Sequence, residues 1–194
     1  MLKRVCVFCG SNTGSRPAYV EAAESLGKLL AERKMGLVYG GGKVGLMGKI
    51  ADAVLGASGE VIGVIPHSLM RKEIAHAGLT DLRVVESMHQ RKALMAELSD
   101  AFIALPGGFG TFEEFCEIVT WAQLGLHGKP CGILNVEGYY DQLLGLFDHA
   151  VKEGFVHPAN RALVIGCKNP DEMLDRLMNY TVPHVEKWIT PGTS

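Results

Sequence analysis

The sequence has 194 residues, of which 47% are hydrophobic and 21% are charged, and its 19 basic and 21 acidic side chains leave a net charge of −2. A chain of this length can form one globular domain with a sizeable core. The absence of a long basic block argues against nucleic-acid binding. No run approaches the roughly 20 apolar residues that a membrane helix needs. The apolar run near the N-terminus is also too short for the apolar region of a signal peptide. We therefore expect a cytoplasmic protein that binds neither nucleic acid nor a membrane.

Short apolar segments rich in β-branched residues alternate with helical patterns along the chain. The pattern predicts strands at 5–9, 36–39, 60–65, 82–86, 101–105, 131–135 and 162–166. It predicts helices at 17–34, 44–57, 88–99, 111–126, 139–153 and 170–179. Nearly continuous apolar strands are typical of a parallel sheet covered by helices on both faces. The prediction is an α/β, doubly wound fold with one domain over 1–180. Residues 181–194 are expected to form a tail that Trp188 could anchor.

The five cysteines are spread over the chain, mostly within apolar segments, and are Cys6, Cys9, Cys116, Cys131 and Cys167. This distribution predicts buried free thiols. Cys6 and Cys9 form a C-x-x-C pattern, but residues three apart on a strand point to opposite faces. No second Cys or His pair stands at a metal-ligand spacing. We therefore expect no metal site and no dithiol redox chemistry.

Glycine-bearing loops follow three of the predicted strands, where ligands of such sheets gather. In the second loop, Gly40, Gly42 and Gly45 match the G-x-G-x-x-G pattern. A dinucleotide site would require an acidic residue at the end of the next strand, and that strand ends in Ile65-Pro66-His67. A Walker A sequence is also absent. We favour a loop that faces another kind of ligand, and close packing between helix and strand is the alternative.

The loop after the fifth strand, in the segment ALPGGFGTFEEF, gives a stronger signal. Gly107, Gly108 and Gly110 allow successive backbone N–H groups to turn inward. The helix that follows offers further unpaired N–H groups and a positive dipole end, which suit a phosphate. Thr111 is expected to cap this helix and to offer its hydroxyl to the same anion.

Glu114 has two interpretations, because Thr111-x-x-Glu114 is also the pattern of a capping box. That structural role alone explains the spacing and contributes about 1 kcal/mol. Helical spacing divides the segment into two apolar faces. The face expected against the sheet holds Phe112, Phe115, Val119 and Ala122. The second face holds Glu114, Ile118 and Trp121. We expect the second face to meet a ligand pocket or another subunit.

The helix predicted after the fourth strand begins with Met88-His89-Gln90-Arg91-Lys92. The guanidinium of Arg91 could bind a phosphate or a ribose hydroxyl through its planar set of donors. The alternative is a solvated pair of charges, which the helix dipole slightly disfavours at this end. The histidines have no spacing typical of a metal site.

Together these segments resemble the Lonely Guy (LOG) family of cytokinin riboside 5′-monophosphate phosphoribohydrolases. The resemblance runs from Val5 to Phe155 and is carried by VFCGSNTG, LVYGGGKVGLMG, MHQRKALM, ALPGGFGTFEE and TWAQLGLHGKPCGILNVEGYYDQLL. It implies a Rossmann-like homodimer without a cofactor. Its substrate would be a nucleoside 5′-monophosphate, AMP or an N6-modified AMP, cleaved at the N-glycosidic bond to the free base and ribose 5-phosphate.

The resemblance also implies roles for individual residues. Arg91 and Glu114 match the catalytic pair, and Gly108 to Thr111, including Phe109 and Gly110, matches the phosphate loop. Further substrate-binding positions are implied at Gly41, Gly42, Glu73, Met88, Lys92, Gly107 and Thr120. Two other functions remain open: a general AMP or purine nucleotide nucleosidase, and a non-hydrolysing carrier of the molybdenum-cofactor type. Lysine decarboxylation, an older label for such chains, is rejected because no motif supports a Schiff-base lysine.

Overall fold

A computed structural model describes residues 2–70 and 75–183 of the chain. The described residues form one seven-stranded sheet in which every neighbouring pair is parallel. The strands are β1 (Arg4–Phe8), β2 (Gly36–Tyr39), β3 (Val61–Pro66), β4 (Asp81–Val85), β5 (Ala101–Ala104), β6 (Cys131–Leu134) and β7 (Val164–Cys167). Their spatial order is β4-β3-β2-β1-β5-β6-β7. The doubly wound α/β prediction is confirmed, and each predicted strand boundary lies within two residues of the observed one.

Helices lie in most of the connections between the strands and after β7, and the described part of the β3–β4 connection has a 3₁₀ turn at His67–Leu69. They are α1 (Pro17–Glu32), α2 (Gly45–Gly56), α3 (Met88–Leu98), α4 (Phe109–Gln123), α5 (Asp141–Lys152), α6 (Pro158–Arg161) and α7 (Pro170–Met178). The single-turn helix α6 was not predicted. The helix predicted at 139–153 begins later, because a 3₁₀ turn at Val136–Gly138 comes first. None of the helices in the described ranges is long and apolar enough to cross a bilayer.

Two apolar clusters bury the two faces of the sheet. Alternate residues of β1 supply both: Val5 and Val7 belong to the cluster under α1, α2 and α7, and Cys6 and Phe8 belong to the cluster under α3 and α4. Cys9 lies in the first cluster and Cys6 in the second, so the predicted opposite orientation of the C-x-x-C pair is confirmed. All five cysteines are free thiols, and Cys116 alone among them is only partly buried.

The direction of winding reverses between β1 and β5, which places the loops after these strands side by side. The backbone N–H of Gly10 donates to the carbonyl of Pro106 at 3.0 Å. The start of α2 packs against the same place, where a Cβ on Gly45 would lie 2.2 Å from the carbonyl carbon of Ser11. The packing interpretation of the second glycine loop is therefore correct for Gly45. Such a reversal opens a crevice at the carboxyl ends of the strands, where ligands of these folds bind.

The buried side of α4 includes the predicted residues Phe112, Phe115 and Val119 but extends beyond them. Thr111, Phe115 and Ile118 are all buried, with Ile118 only 2% exposed. Positions spaced four and three apart lie on one side of a helix, so these three form the central buried row. The prediction that Ile118 belongs to a separate second face was wrong. Trp121 is partly buried and packs against the same cluster.

Candidate active site

A cavity of about 280 Å³ lies at the carboxyl edge of the sheet, next to the reversal between β1 and β5. Its walls come mainly from the end of β1, the loops after β1 and β2, and the N-terminal halves of α3 and α4. Seven residues that the sequence indicated line it together: Met88, Arg91, Gly108, Phe109, Gly110, Thr111 and Glu114. Segments that lie far apart along the chain therefore meet at one place in the fold.

Arg91 is 4% exposed, and backbone carbonyls hold its guanidinium. Its Nε donates to the carbonyl oxygen of Val64 at 3.0 Å, and its Nη2 donates to that of Gly40 at 2.7 Å. These carbonyls belong to β3 and to the residue that follows β2, so the sheet itself sets the position of the charge. The alternative of a solvated charge pair is wrong for Arg91.

The start of α3 is fixed by side-chain caps that orient the residues facing the cavity. The Oγ of Ser87 accepts a hydrogen bond from the backbone N–H of Gln90 at 3.2 Å. The Oε1 of Gln90 in turn accepts from the N–H of Glu86 at 2.9 Å. With the first turn held, Met88 and Arg91, three residues apart, lie on one side of the helix. The start of α3 therefore has a reciprocal capping similar to the one expected at α4, except that the Gln90 side chain bonds to the N–H of Glu86 and not to that of the N-cap residue Ser87.

Helix α4 begins at Phe109, and Gly108 is its N-cap residue without any capping side chain. The capping box predicted for Thr111 and Glu114 is therefore wrong, because Thr111 stands inside the first turn. The first N–H groups of a helix have no partner within it. Here they lie beside the cavity, with the positive end of the helix dipole behind them. This arrangement can bind a phosphate group.

Two glycines of this segment leave open space that the protein does not fill. A Cβ on Gly108 or on Gly110 would meet no protein atom within 4 Å. Neither residue adopts a positive φ. Neither packing nor backbone conformation therefore requires glycine at these two positions, and both line the cavity. A ligand that approaches the backbone closely would require it.

Gly107 is different, since a Cβ there would lie 2.1 Å from Oγ1 of Thr111. Because Gly107 has no side chain, the loop can pack directly on the first turn of α4. Gly107 does not line the main cavity and lies on the other side of the loop.

Glu114 lies on the wall of the cavity, and its charge acts on the thiols at the end of β1. Burial, and after it the carboxylate of Glu114, raises the pKa of Cys9 above its ordinary value. The same two causes raise the pKa of Cys6, which the guanidinium of Arg91 opposes. A negative and a positive side chain thus both face this small region.

Lys92 points away from the cavity, although it follows Arg91 in the sequence. Its Nζ lies 2.5 Å from Oε1 of Glu113 and 3.0 Å from Oε2 of Glu117, both on α4. Burial lowers the pKa of Lys92, but the hydrogen bonds that its ammonium donates to the two carboxylates outweigh this and leave the pKa above its ordinary value. The implied contact between Lys92 and the substrate stays a prediction.

Three other implied positions also lie outside the cavity wall. Thr120 is exposed, and its Oγ1 donates to the carbonyl of Cys116 at 2.7 Å. Gly41 and Gly42 are buried and pair with the segment at Ala75 and His76. The contribution of that glycine loop to the cavity is Gly40 instead. Glu73 lies outside the described residues. Within the described ranges, no group of three or more His, Cys, Asp or Glu side chains could hold a metal ion.

Sequence reasoning missed two tyrosines that support the loop 105–108 on the side away from the main cavity. The hydroxyl of Tyr140 donates to the carbonyl of Leu105, and that of Tyr139 donates to the carbonyl of Gly107. An aromatic pair directly after β6, the strand that neighbours β5, was the available signal.

Comparison with known proteins gives consistent matches. Residues 47–177 match a family model described as possible lysine decarboxylase. The chain is 52% identical over 185 residues to the cytokinin riboside 5′-monophosphate phosphoribohydrolase LOG1 of Arabidopsis thaliana, covering 95% of this chain and 86% of the relative. It is 53% identical over 178 residues to the probable phosphoribohydrolase LOGL9 of Oryza sativa subsp. japonica, covering 92% and 78%.

Among solved structures, the molybdenum cofactor binding protein of Rippkaea orientalis superposes with a TM-score of 0.67 at 20% identity, covering 92% of this chain and 96% of that one. At this level of identity the likeness shows the fold alone.

Proposed function

The chain belongs to the Lonely Guy (LOG) family, and on that premise we propose that it hydrolyses the N-glycosidic bond of cytokinin riboside 5′-monophosphates. The products would be the free base and ribose 5-phosphate. One observation carries the proposal: a carboxylate, Glu114, lines the same cavity as an uncapped helix N-terminus and a buried arginine. These are the groups that cleavage of a phosphorylated nucleoside requires.

The carboxylate suits the sugar and the helix terminus suits the phosphate. Cleavage of a ribosyl C–N bond develops positive charge on the sugar, as in glycoside hydrolysis. A carboxylate beside that carbon stabilises the charge and can orient or deprotonate the attacking water. We propose this role for Glu114. Its position on α4, one turn after the phosphate-binding residues Gly108 to Thr111, would place the sugar between the two groups.

The phosphate would serve mainly for positioning. Binding of a remote group fixes the sugar relative to the catalytic side chains, and this lowers the entropic part of the barrier. The open space at Gly108 and Gly110 supports close approach of an anion to the backbone. Arg91, whose guanidinium is held at the cavity by two backbone carbonyls, would contact the ribose or the phosphate.

The described cavity gives no support to lysine decarboxylation. That reaction normally needs a lysine that forms a Schiff base with pyridoxal phosphate. Among the described residues no lysine lines the cavity. Lys92, which follows the cavity residue Arg91 in the sequence, forms ion pairs with two carboxylates. An ammonium whose pKa is raised is a poor nucleophile.

We also propose a cytoplasmic homodimer. Five free thiols, four of them buried, suit a reducing compartment. For the dimer, large apolar side chains stay exposed on α5 and beyond the C-terminal ends of α4 and α5, namely Leu124, Leu126, Leu146 and Phe155. Exposed apolar side chains of this size are typical of protein interfaces. Light scattering of the purified chain measures the mass directly, and a monomer at micromolar concentration would overturn the dimer.

One incubation tests the function. The purified chain is mixed with N6-isopentenyl-AMP, with AMP and with the two matching nucleosides, and chromatography measures free base and ribose 5-phosphate. The proposal expects base release from the monophosphates, fastest from the isopentenyl compound, and little from the nucleosides. Faster cleavage of AMP would favour the general nucleotide nucleosidase. No base from any monophosphate would overturn the proposed function.

A further inference from the structure

The turn after β6 places two adjacent tyrosines against the loop 105–108. The hydroxyl of Tyr140 donates to the carbonyl oxygen of Leu105 at 2.7 Å, and that of Tyr139 donates to the carbonyl oxygen of Gly107 at 2.5 Å. We infer that Tyr139 is a positioning residue for the phosphate site. Its hydroxyl would hold the Gly107–Gly108 peptide so that the N–H of Gly108 faces the substrate phosphate. This inference rests on the proposed function.

The local sequence explains why both rings reach the loop. Asn135 is buried, and its Oδ1 accepts from the N–H of Tyr140 while its Nδ2 donates to Oδ1 of Asp141, both at 2.7 Å. Glu137 and Gly138 take left-handed conformations, with φ of 51° and 73°. The chain therefore turns sharply between β6 and α5, and the two tyrosines stand at the start of the helix, beside β5.

Two neighbouring aromatic rings hold the ring of Tyr139 in place, independently of its hydroxyl group. It packs edge-to-face on Tyr140, with ring centroids 4.9 Å apart, and on Tyr19, with centroids 5.6 Å apart. Aromatic pairs in this geometry stabilise each other beyond their buried area. The hydroxyl therefore forms its hydrogen bond to Gly107 with little further loss of side-chain freedom.

The loop separates two cavities. Tyr139 and Gly107 line a smaller cavity of about 180 Å³, and Gly108 lines both this one and the candidate active site. The C=O and N–H of a trans peptide point in opposite directions, and the described residues contain no cis peptide. A carbonyl of Gly107 bound to Tyr139 on one side therefore leaves the N–H of Gly108 directed toward the other side, where the active-site cavity lies.

This peptide needs such a restraint more than its neighbours do. Rotation of the peptide plane changes ψ of Gly107 and φ of Gly108, and neither residue has a Cβ to oppose the rotation. The flanking carbonyls of Pro106 and Gly108 accept backbone N–H groups, from Gly10 at 3.0 Å and from Phe112 at 3.1 Å. A rotated Gly107–Gly108 peptide would present an oxygen to the phosphate in place of a donor, and the anion site would lose a donor.

The test measures binding of ribose 5-phosphate by calorimetry to the full-length protein and to two variants. Tyr139→Phe removes the hydroxyl and keeps the ring. Tyr19→Phe is the matched control, because Tyr19 belongs to the same aromatic group but its hydroxyl does not bond to the 105–108 carbonyls. We expect Tyr139→Phe to bind roughly three- to tenfold more weakly, the effect of about one hydrogen bond. Tyr19→Phe should bind as the unchanged protein does.

Kinetics and stability separate positioning from a general structural role. For the nucleoside monophosphate, Tyr139→Phe should raise KM by a similar factor and change kcat by less than about twofold, since the bond acts on phosphate binding. The melting temperature should shift by less than about 2 °C, because Tyr139 is a partly exposed residue.

Equal affinity of Tyr139→Phe and the unchanged protein for ribose 5-phosphate would overturn the inference, as would an equal loss in Tyr19→Phe. If the unchanged protein binds ribose 5-phosphate in a Tyr139-dependent way but releases no base, the proposed function fails and the positioning role stands. Failure of the unchanged protein to bind ribose 5-phosphate would overturn the positioning role, whereas release of base from the monophosphates alone decides the proposed function.

Discussion

The ammonium of Lys92 lies 2.5 Å from the carboxylate of Glu113, and this ion pair joins α3 to α4. Each partner is the sequence neighbour of a cavity residue: Lys92 follows Arg91, and Glu113 precedes Glu114. The two adjacent acids of the FEEF segment therefore have separate surroundings. Glu113 pairs with a lysine between the helices, and Glu114 faces the cavity.

This ion pair predicts a stability effect for Lys92→Met. The substitution keeps much of the apolar stem and leaves Glu113 and Glu117 without their shared cation. We expect a loss of about 2 kcal/mol in the free energy of unfolding, less than for a fully buried pair because Glu113 is exposed. Urea unfolding followed by circular dichroism measures it.

The control for this prediction is Lys49→Met, which removes an exposed lysine 3.8 Å from Glu24. An exposed pair of this kind contributes at most about 1 kcal/mol. Equal unfolding midpoints for the two variants would show that the Lys92 ion pair does not hold α3 against α4.

Gly110→Ala is predicted to separate stability from substrate binding. Alanine is favoured over glycine within a helix by about 0.5–1 kcal/mol, and a Cβ at this position meets no protein atom. The variant should therefore be as stable as the unchanged protein or more so. The added methyl group would occupy the cavity beside the first turn of α4, and KM for the nucleoside monophosphate should rise about tenfold or more.

Gly107→Ala should lose stability instead, because its Cβ would collide with Thr111. Overpacking of this kind costs about 1–3 kcal/mol. Thermal melting and steady-state kinetics of both variants test the contrast. A normal KM for Gly110→Ala would argue that no ligand approaches the backbone there.

His127 predicts a loss of stability in mild acid. Its Nδ1 accepts from the N–H of Lys129 at 3.1 Å, so its Nε2 carries the proton and donates to the carbonyl of Ile118 at 3.0 Å. Burial, and also the charge of Lys129, lowers the pKa of His127 below its ordinary value of about 6.5. The unfolded chain therefore binds a proton more readily than the folded one. This contribution to stability is present above about pH 6.5 and is lost as the pH falls toward the lower folded pKa.

The measurement compares urea midpoints at pH 7.5 and pH 5.5 for the unchanged protein and for His127→Gln. Glutamine can donate to Ile118 and accept from Lys129, but it does not titrate in this range. The variant should lose less stability between the two pH values. An identical loss in both proteins would assign the acid sensitivity to other groups.

The sequence predicted the strands well and the contacts of single side chains less well. All the strands except β4, which is DLRVV, are nearly continuous apolar runs, and little else in the chain resembles them, so their positions were clear. The start of α4 was ambiguous, because glycine and threonine are both acceptable N-caps and the choice depends on how Gly107 packs on Thr111. The direction of Lys92 could not be predicted from α3 alone, since its partners lie on another helix.

The support from Tyr139 was also beyond prediction. It depends on a left-handed conformation at Glu137, a residue type that rarely adopts one. By contrast, Arg91 and Glu114 were indicated correctly as cavity residues. Arg91 lies on the helix after β4 and Glu114 on the helix after β5. The carboxyl ends of parallel strands lie at the same edge of the sheet, so the order of strands and helices along the chain indicates that both side chains lie at that edge.

The most direct test of the central claim is the rate at which Glu114→Gln releases ribose 5-phosphate from a nucleoside 5′-monophosphate. Glutamine keeps the size of the side chain and removes the charge that would stabilise the sugar cation. The account predicts a fall in kcat of about 10²- to 10⁴-fold. The AMP affinity and the circular dichroism spectrum should stay close to those of the unchanged protein. A correctly folded Glu114→Gln variant that releases ribose 5-phosphate at the unchanged rate would contradict it.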